Sequence, residues 1–248
     1  MHVTIRDAAE GDHLRLAEIA AEGDAGGIDS PYLTFVATGG RLLVACHDGR
    51  PVAFGGMVPI GSAAMVTDLF VATDARGGGV GGALLRQLLD GYEQRMTCSS
   101  QHAAALPAYR RAGMQPRWRL LYLTGPALGG APPLEREPWR GERAELVDYL
   151  AGRGAVVTAD AVVELARAGA GAPAVVHRLQ ATDPARRFDE IRAALPAGTP
   201  VRACVPEPNP LARALRERGF RVEDHDVFCA TDGVEFPAGV SCVHAGLL

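Results

Sequence analysis

Alternating apolar and polar residues over His2 to Arg6 predict a short strand. After Asp12, which has N-cap chemistry, Leu14, Leu16, Ala17, Ile19 and Ala20 predict a helix. Ser30-Pro31 has the N-cap and first-turn pattern of a brief helix through Tyr32, Leu33, Phe35 and Val36. Two β-type runs, Leu42 to Cys46 and Val52 to Met57, flank the tight-turn dipeptide Asp48-Gly49 and predict an antiparallel hairpin. Ala64 to Val71 predicts a third strand. It leads through glycine-rich sequence into a helix from about Val80 to Arg95, with Leu84, Leu85, Leu88, Leu89 and Tyr92 as its buried stripe. A short strand at Met96 to Ser99, a helix at Ala103 to Ala112 ended by Gly113, and a strand at Arg117 to Leu123 follow.

Neither period survives in Gly125-Pro126-Ala127-Leu128-Gly129-Gly130-Ala131-Pro132-Pro133, which predicts a linker extending to Pro138. The expected organisation is therefore a domain at 1–124, a linker at 125–138 and a domain at 139–248. Beyond the linker, Glu142 to Ala151 predicts a helix, Ala155 to Val157 a strand and Asp160 to Ala168 a weak helix. Ala174 to Gln180 then predicts a strand, and Asp183-Pro184 starts a helix through Phe188, Ile191 and Leu195. Val201 to Val205 is the next strand, Asn209-Pro210 starts a helix ended by Gly219, and Val222 to Ala230 is the last strand.

The two halves overlay. The strand, helix, strand, helix, strand series from 64 to 123 matches the series from 174 to 230. Tyr109-Arg110-Arg111-Ala112-Gly113-Met114 aligns with Leu215-Arg216-Glu217-Arg218-Gly219-Phe220. The reading is an internal repeat of fold with divergent chemistry; chance similarity of βαβ units is the alternative.

Composition narrows the function classes. A hydrophobic fraction of 48%, a charged fraction of 22% and a net charge of −4 describe a globular chain without the basic surplus of a nucleic-acid domain. No apolar run approaches the roughly 20 residues of a membrane span, and the first residues lack an apolar signal core, so a cytoplasmic protein is expected. Five widely spaced cysteines suggest neither a disulfide scaffold nor a zinc site, and His177, His225 and His244 have no metal-ligand spacing. Every basic residue is Arg. With no Lys, an anion must be held by guanidinium groups or main-chain N–H.

The most informative segment is Val66 to Leu85, where a strand passes through Arg76-Gly77-Gly78-Gly79-Val80-Gly81-Gly82 into a helix. Glycines let the main chain approach a ligand, the first helical turn leaves N–H groups unpaired, and Arg76 adds a full charge. A pyrophosphate suits such a cradle. A P-loop would need Gly-Lys-Ser/Thr, and there is no Lys. A dinucleotide fold would place the glycines after the first strand of a βαβ unit, whereas here they follow a hairpin. A purely structural glycine turn is the remaining reading.

In these residues the chain resembles the GCN5-related N-acetyltransferase (GNAT) family, which transfers acyl groups from coenzyme A to amines. The family motif Arg/Gln-x-x-Gly-x-Gly/Ala matches Arg76, Gly79 and Gly81. The order of elements agrees over residues 2 to 124. The later elements suggest a second, degenerate copy, as in two-domain members of the family. The resemblance implies an α/β fold of tandem GNAT-like domains, each a mixed, largely antiparallel sheet flanked by helices. It also implies acetyl-CoA bound along Leu69, Phe70 and Val71, with its pyrophosphate on N–H groups from Gly77, Gly78, Gly79, Val80, Gly81 and Gly82. Turnover would be direct attack by a primary amine in a ternary complex.

Tyr109 matches the family tyrosine that protonates the departing thiolate; its counterpart in the second copy is Leu215, which has no proton to give. Asp68 on the motif strand is a candidate base, with His102 as an alternative because its ordinary pKa lies near neutrality. No Ser-His-acid set supports covalent catalysis. Tyr32 and Phe35 lie where the family shapes its acceptor pocket, and are equally plausible as core. The second copy's turn, Ala181 to Phe188, lacks glycines and carries Asp183, so no coenzyme A is expected there. A small-molecule or peptide amine is the expected partner of a monomer or homodimer without nucleic acid, membrane or metal. A non-catalytic acyl-CoA-responsive or interaction module is the alternative function.

Overall fold

The structure, a computed structural model, describes residues 3–23, 28–166, 172–236, 239–244 and 246–247. His2, the 167–168 end of the weak helix expected at Asp160 to Ala168, and positions 245 and 248 lie outside the described residues. Two compact units form: Met1–Arg117 with Phe228–Val234, and Trp118–Val227 with Glu235–Leu248.

The first unit contains β1 (Val3–Asp7), α1 (His13–Ala21), α2 (Ser30–Gly39), β2 (Arg41–His47), β3 (Arg50–Ile60), β4 (Ala63–Val71), α3 (Val80–Leu88), β5 (Gln94–Ser99) and α4 (Ala105–Arg111). Strands β1 to β4 pair antiparallel in chain order, and β5 pairs parallel to β4. The β2–β3 turn is the expected one, with Asp48 at φ 50° and Gly49 at φ 79°, as a primed hairpin turn requires. Leu16, Ile19, Leu33, Val36, Leu84 and Leu88 bury the helices against the sheet, whereas Leu14 is 77% exposed.

Local caps differ in detail from expectation. Asp12 precedes α1 but takes the Arg6 guanidinium and the Ala9 N–H instead of capping the helix. The N-cap of α2 is Asp29, whose carboxylate accepts from Tyr32 N–H at 3.0 Å, which moves Ser30 into the first turn. Helix α3 stops at Leu88, seven residues before Arg95, because the chain turns at Gly91 (φ 83°) and re-enters the sheet at Gln94.

The second unit contains most of β6 (Gln115–Pro126), then α5 (Ala144–Gly152), β7 (Val156–Val157), β8 (Ala161–Glu164), β9 (Ala174–Leu179), α6 (Pro184–Ala194), β10 (Pro200–Pro206), α7 (Pro210–Glu217) and the first part of β11 (Arg221–Ala230). The expected weak helix at 160–168 is strand β8 where described: Val162 and Val163 sit fully buried in the sheet, and β-branched side chains favour that pleated surface.

The 124/139 division is also not where the compact units part. Strand β6 runs on to Pro126 and pairs with β10 along its whole second half, so Gly125 is a paired strand residue and not linker. At the other end, Phe228–Val234 joins the first unit, where Thr231 N–H donates to Arg95 C=O on β5 and Arg95 N–H donates back to Thr231 Oγ1, each at 2.9 Å. Each unit thus completes its sheet with a strand from a distant part of the sequence, a pairing no local pattern reveals. Among the described residues no helix is long and apolar enough to cross a membrane.

Gly125 provides a direct check. A Cβ there would lie 2.5 Å from Cδ2 of Phe220, a buried ring held edge-on to Phe188 and capped by the Arg192 guanidinium. Gly125→Ala is expected to destabilise by about 1–3 kcal/mol through overpacking. Thermal unfolding should show the midpoint lowered by roughly 5–10 °C. An unchanged midpoint would restore the linker reading.

Candidate active site

The site grows from the far end of β4. Its antiparallel register with β3 shifts between Gly56 and Met57, so Asp68 faces Gly56, Val66 faces Met57, and Thr67 is the extra residue of a bulge. Parallel pairing with β5 ends at the same place, with Val66 opposite Thr97 as the last pair. Beyond it β4 continues to Val71 and β5 to Ser99 without pairing to each other. The strands part at the carboxyl ends of a parallel pair, where α/β sheets place their ligands.

The phase of the ladder determines what this gap offers. Ala72 N–H donates to Val52 C=O at 2.8 Å, so the main-chain groups of Phe70 and Asp68 also face β3, while those of Leu69 and Val71 face the gap. Phe70, expected beside them at the donor, instead turns its main chain to β3 and stacks its ring on Phe54 at 5.4 Å. The Arg76 guanidinium folds back so that its Nε donates to Val71 C=O at 3.1 Å, leaving Val71 N–H as the donor at the end of the gap.

The glycine-rich turn connects this gap to α3. Gly77 and Gly79 take φ of 85° and 80°, left-handed values that favour residues without a Cβ. Gly79 is the N-cap, and at Gly81 a Cβ would stand 3.1 Å from Val71 Cγ2, so a bare main chain lets the helix start close against the end of β4. Val80 anchors that start in the core. Across Gly77 to Gly82 no side chain caps the helix and no main-chain N–H has a partner among the described residues. This set of donors beside Arg76 suits a pyrophosphate, and the gap suits an extended chain bearing amides. The residues therefore fit acetyl-CoA.

Asp68 is 6% exposed and sits at the bulge with two donors on Oδ2, Thr67 Oγ1 at 2.7 Å and Tyr32 Oη at 2.9 Å. Burial pushes its carboxyl up to about 6, and the two hydrogen bonds only moderate that rise. Gly56 is indispensable to this packing, because a Cβ there would meet Thr67 Oγ1 and Asp68 Oδ2. The structure thus joins two residues, Tyr32 and Asp68, that the sequence offered separately and 36 positions apart.

Tyr109 is buried at 7% exposure on α4, which follows β5 at the same edge of the sheet. Phe35 is half-buried on α2, one turn from Tyr32. His102 is exposed in the β5–α4 loop, where its Nδ1 accepts from Ala104 N–H at 3.2 Å. Residues that sequence reasoning missed are Thr67, the second donor to Asp68, and Gly56, which makes room for both. Alternation along β4 puts Thr67 and Asp68 on opposite faces; only the bulge brings them together.

The second unit repeats the geometry. The β8–β9 register shifts so that His177 is the extra residue, and parallel pairing of β9 with β10 runs to Val176 opposite Ala203. This matches Val66 with Val176, Thr67 with His177, Asp68 with Arg178, Leu69 with Leu179 and Cys98 with Cys204. After the second helix of each series, Gly113 and Gly219 take φ of 86° and 85°, and Met114 N–H and Phe220 N–H donate to Tyr109 C=O and Leu215 C=O. Where the first unit buries a carboxylate, the second buries the Arg178 guanidinium at 1% exposure, and burial lowers its pKa to about 10.

Residues 38–116 match the family described as acetyltransferase (GNAT) domain. A comparison with curated proteins finds no match. Among solved structures, a Pyrococcus horikoshii protein assigned as an acetyltransferase superposes with a TM-score of 0.74 at 14% identity, covering 98% of this chain and 95% of that one. A Thermoplasma acidophilum protein assigned likewise gives 0.56 at 15% identity, over 92% of this chain and 98% of that one. The GCN5-related N-acetyltransferase from Sphaerobacter thermophilus gives 0.56 at 13% identity, over 94% and 98%. At such identities the likeness is one of fold, and it extends over nearly the whole chain. The chain therefore has the fold of the GNAT acetyltransferases, with the domain match centred on the hairpin, the glycine-rich turn and α4.

Proposed function

We propose that this chain moves an acetyl group from acetyl-CoA to a primary amine by direct attack in a ternary complex, using the first unit, and that the second unit is a degenerate GNAT-like copy. The observation that carries the reading is the gap between β4 and β5, which opens beside a buried carboxylate and ends at an uncapped, glycine-lined helix start. Bound acetyl-CoA supplies an activated acetyl thioester. N–H groups from Gly77 to Gly82 hold the phosphates with Arg76, Val71 N–H holds the extended arm next to them, and Leu69 N–H, nearer Asp68, polarises the reacting carbonyl.

Asp68 is the favoured base. Its carboxylate is ionised above pH about 6 and takes the amine proton, directly or through one water. His102 is a poorer candidate, because a neutral imidazole whose Nδ1 accepts a hydrogen bond carries its proton on Nε2. Tyr109 Oη donates a proton to the leaving sulfur. Tyr32 orients Asp68 and, with Phe35, borders the acceptor. In the second unit the base position is Arg178 and the acid position is Leu215, so neither proton transfer is available there.

The test is thiol release from acetyl-CoA across a panel of small-molecule and peptide amines. Turnover with at least one amine supports the reading; donor binding without turnover on any would favour the acyl-CoA-responsive module.

Asp68→Asn adds a pH test. It should lower kcat/KM at pH 7 by about 100-fold while donor affinity is kept. In the unsubstituted protein the base protonates as pH falls through about 6, so activity declines. Stability moves the other way: a carboxyl whose folded pKa of about 6 exceeds its ordinary 3.8 stabilises the fold below 3.8 and loses that contribution as pH rises through 6. Asn should remove both dependences. An acid limb in the rate that persists unchanged in the variant would exclude Asp68.

A further inference from the structure

We infer that Ser241–Val243 is a built-in ligand of the second unit: it fills the gap between β9 and β10 that corresponds to the donor gap of the first unit, and closes it to acyl-CoA. The correspondence rests on reading the first gap as the donor site, and the filling itself rests on hydrogen bonds. Ser241 N–H donates to Leu179 C=O at 2.8 Å, and Leu179 N–H donates to Cys242 C=O at 3.3 Å. On the other side, Val243 N–H donates to Cys204 C=O at 3.0 Å. The segment thus bridges the two strands at Leu179 and Cys204, the counterparts of Leu69 and Cys98. It uses the same outward-facing main-chain groups that Leu69 presents to its own gap: Gln180 N–H faces β8, bonding Asp160 C=O at 2.8 Å, as Phe70 faces β3.

The segment is held as firmly as a core strand. Val240, Ser241, Cys242 and Val243 are each no more than 3% exposed, and Asn209 Nδ2 donates to Val240 C=O at 3.3 Å. Just beyond it, His244 stacks on His177, the bulge residue of β9, with ring centroids 5.3 Å apart. The phosphate end of the counterpart site is filled from within as well. At the start of α6 the Asp183 carboxylate accepts from Arg186 N–H at 3.0 Å, and Pro184 removes a donor that the first unit keeps at Val80. Loss of glycines explains a weak anion site; an extended segment of the same chain occupying the arm's place explains why the gap persists without a donor.

The experiment titrates 15N-labelled full chain with pantetheine, which carries the amides of the donor without its phosphates. In the unsubstituted protein, Leu69 and Val71 amides should shift while Leu179, Ser241 and Val243 amides stay fixed and exchange with solvent at least about 1,000-fold more slowly than unprotected amides. In the double variant Ser241→Pro, Val243→Pro, two donors to the gap are lost, and pantetheine should then also shift Leu179 and Cys204. Shifts at Leu179 in the unsubstituted protein, or fast exchange at Ser241 and Val243, would overturn the inference. So would a double variant with protected α6 and α7 amides and no response at Leu179. If the double variant unfolds, titration and exchange of the unsubstituted chain decide the matter. A silent Leu69 would reject the first-unit reading instead, so the two failures are told apart.

Discussion

Gly82→Glu is expected to make the protein more stable and at the same time to weaken donor binding strongly. Position 82 is exposed in the first turn of α3, and a Cβ there meets nothing within 4 Å. Replacing a helical glycine gains about 0.5–1 kcal/mol, and an acidic side chain near a helix start adds a few tenths more. The thermal midpoint should therefore rise by a few degrees. The same carboxylate stands beside the proposed phosphate donors. One like charge about 5 Å from another costs about 3 kcal/mol at an effective dielectric near 20, which corresponds to about 100-fold in Kd for acetyl-CoA. Calorimetric titration and thermal melting on the same sample check both halves. A structural glycine turn predicts the stabilisation without the loss of affinity, so unchanged affinity would reject the cradle.

Tyr109→Phe should lower kcat by about 100-fold or more, the usual size of a general acid's contribution, with little change in KM for acetyl-CoA. The helix position itself tolerates an apolar side chain, since Leu215 is fully buried at the matching place and preserves the same Gly-terminated turn. Phenylalanine keeps the ring and removes only the hydroxyl. A purely packing role would leave kcat nearly intact, whereas a proton donor to sulfur predicts that acyl donors with better thiol leaving groups recover part of the lost rate. Steady-state kinetics with acetyl-CoA and an activated thioester distinguish the two.

Much of this was legible because it is local. Asp48-Gly49 specifies its hairpin, Asp183-Pro184 and Asn209-Pro210 start their helices, and Gly113 and Gly219 end theirs, each through the backbone of a few neighbouring residues. The run from Arg76 to Gly82 likewise shows both its turn and its chemistry in sequence. What was illegible is what depends on partners far along the chain. The bulge at Thr67, the parting of β4 from β5 and the Tyr32–Asp68 hydrogen bond all require a neighbouring strand or helix to exist. Gly125 and Pro126 look like linker residues until β10 pairs with them. Val162 and Val163 sit in a short apolar run whose period does not separate helix from strand, and burial in the sheet decides it.

The most direct test of the central claim is a crystal structure of the chain with acetyl-CoA. The diphosphate is expected within hydrogen-bond distance of N–H groups between Gly77 and Gly82, the arm lying along Val71, and the thioester next to Leu69 and Asp68. Phosphates seated on the 181–188 turn, or away from both turns, would contradict that claim.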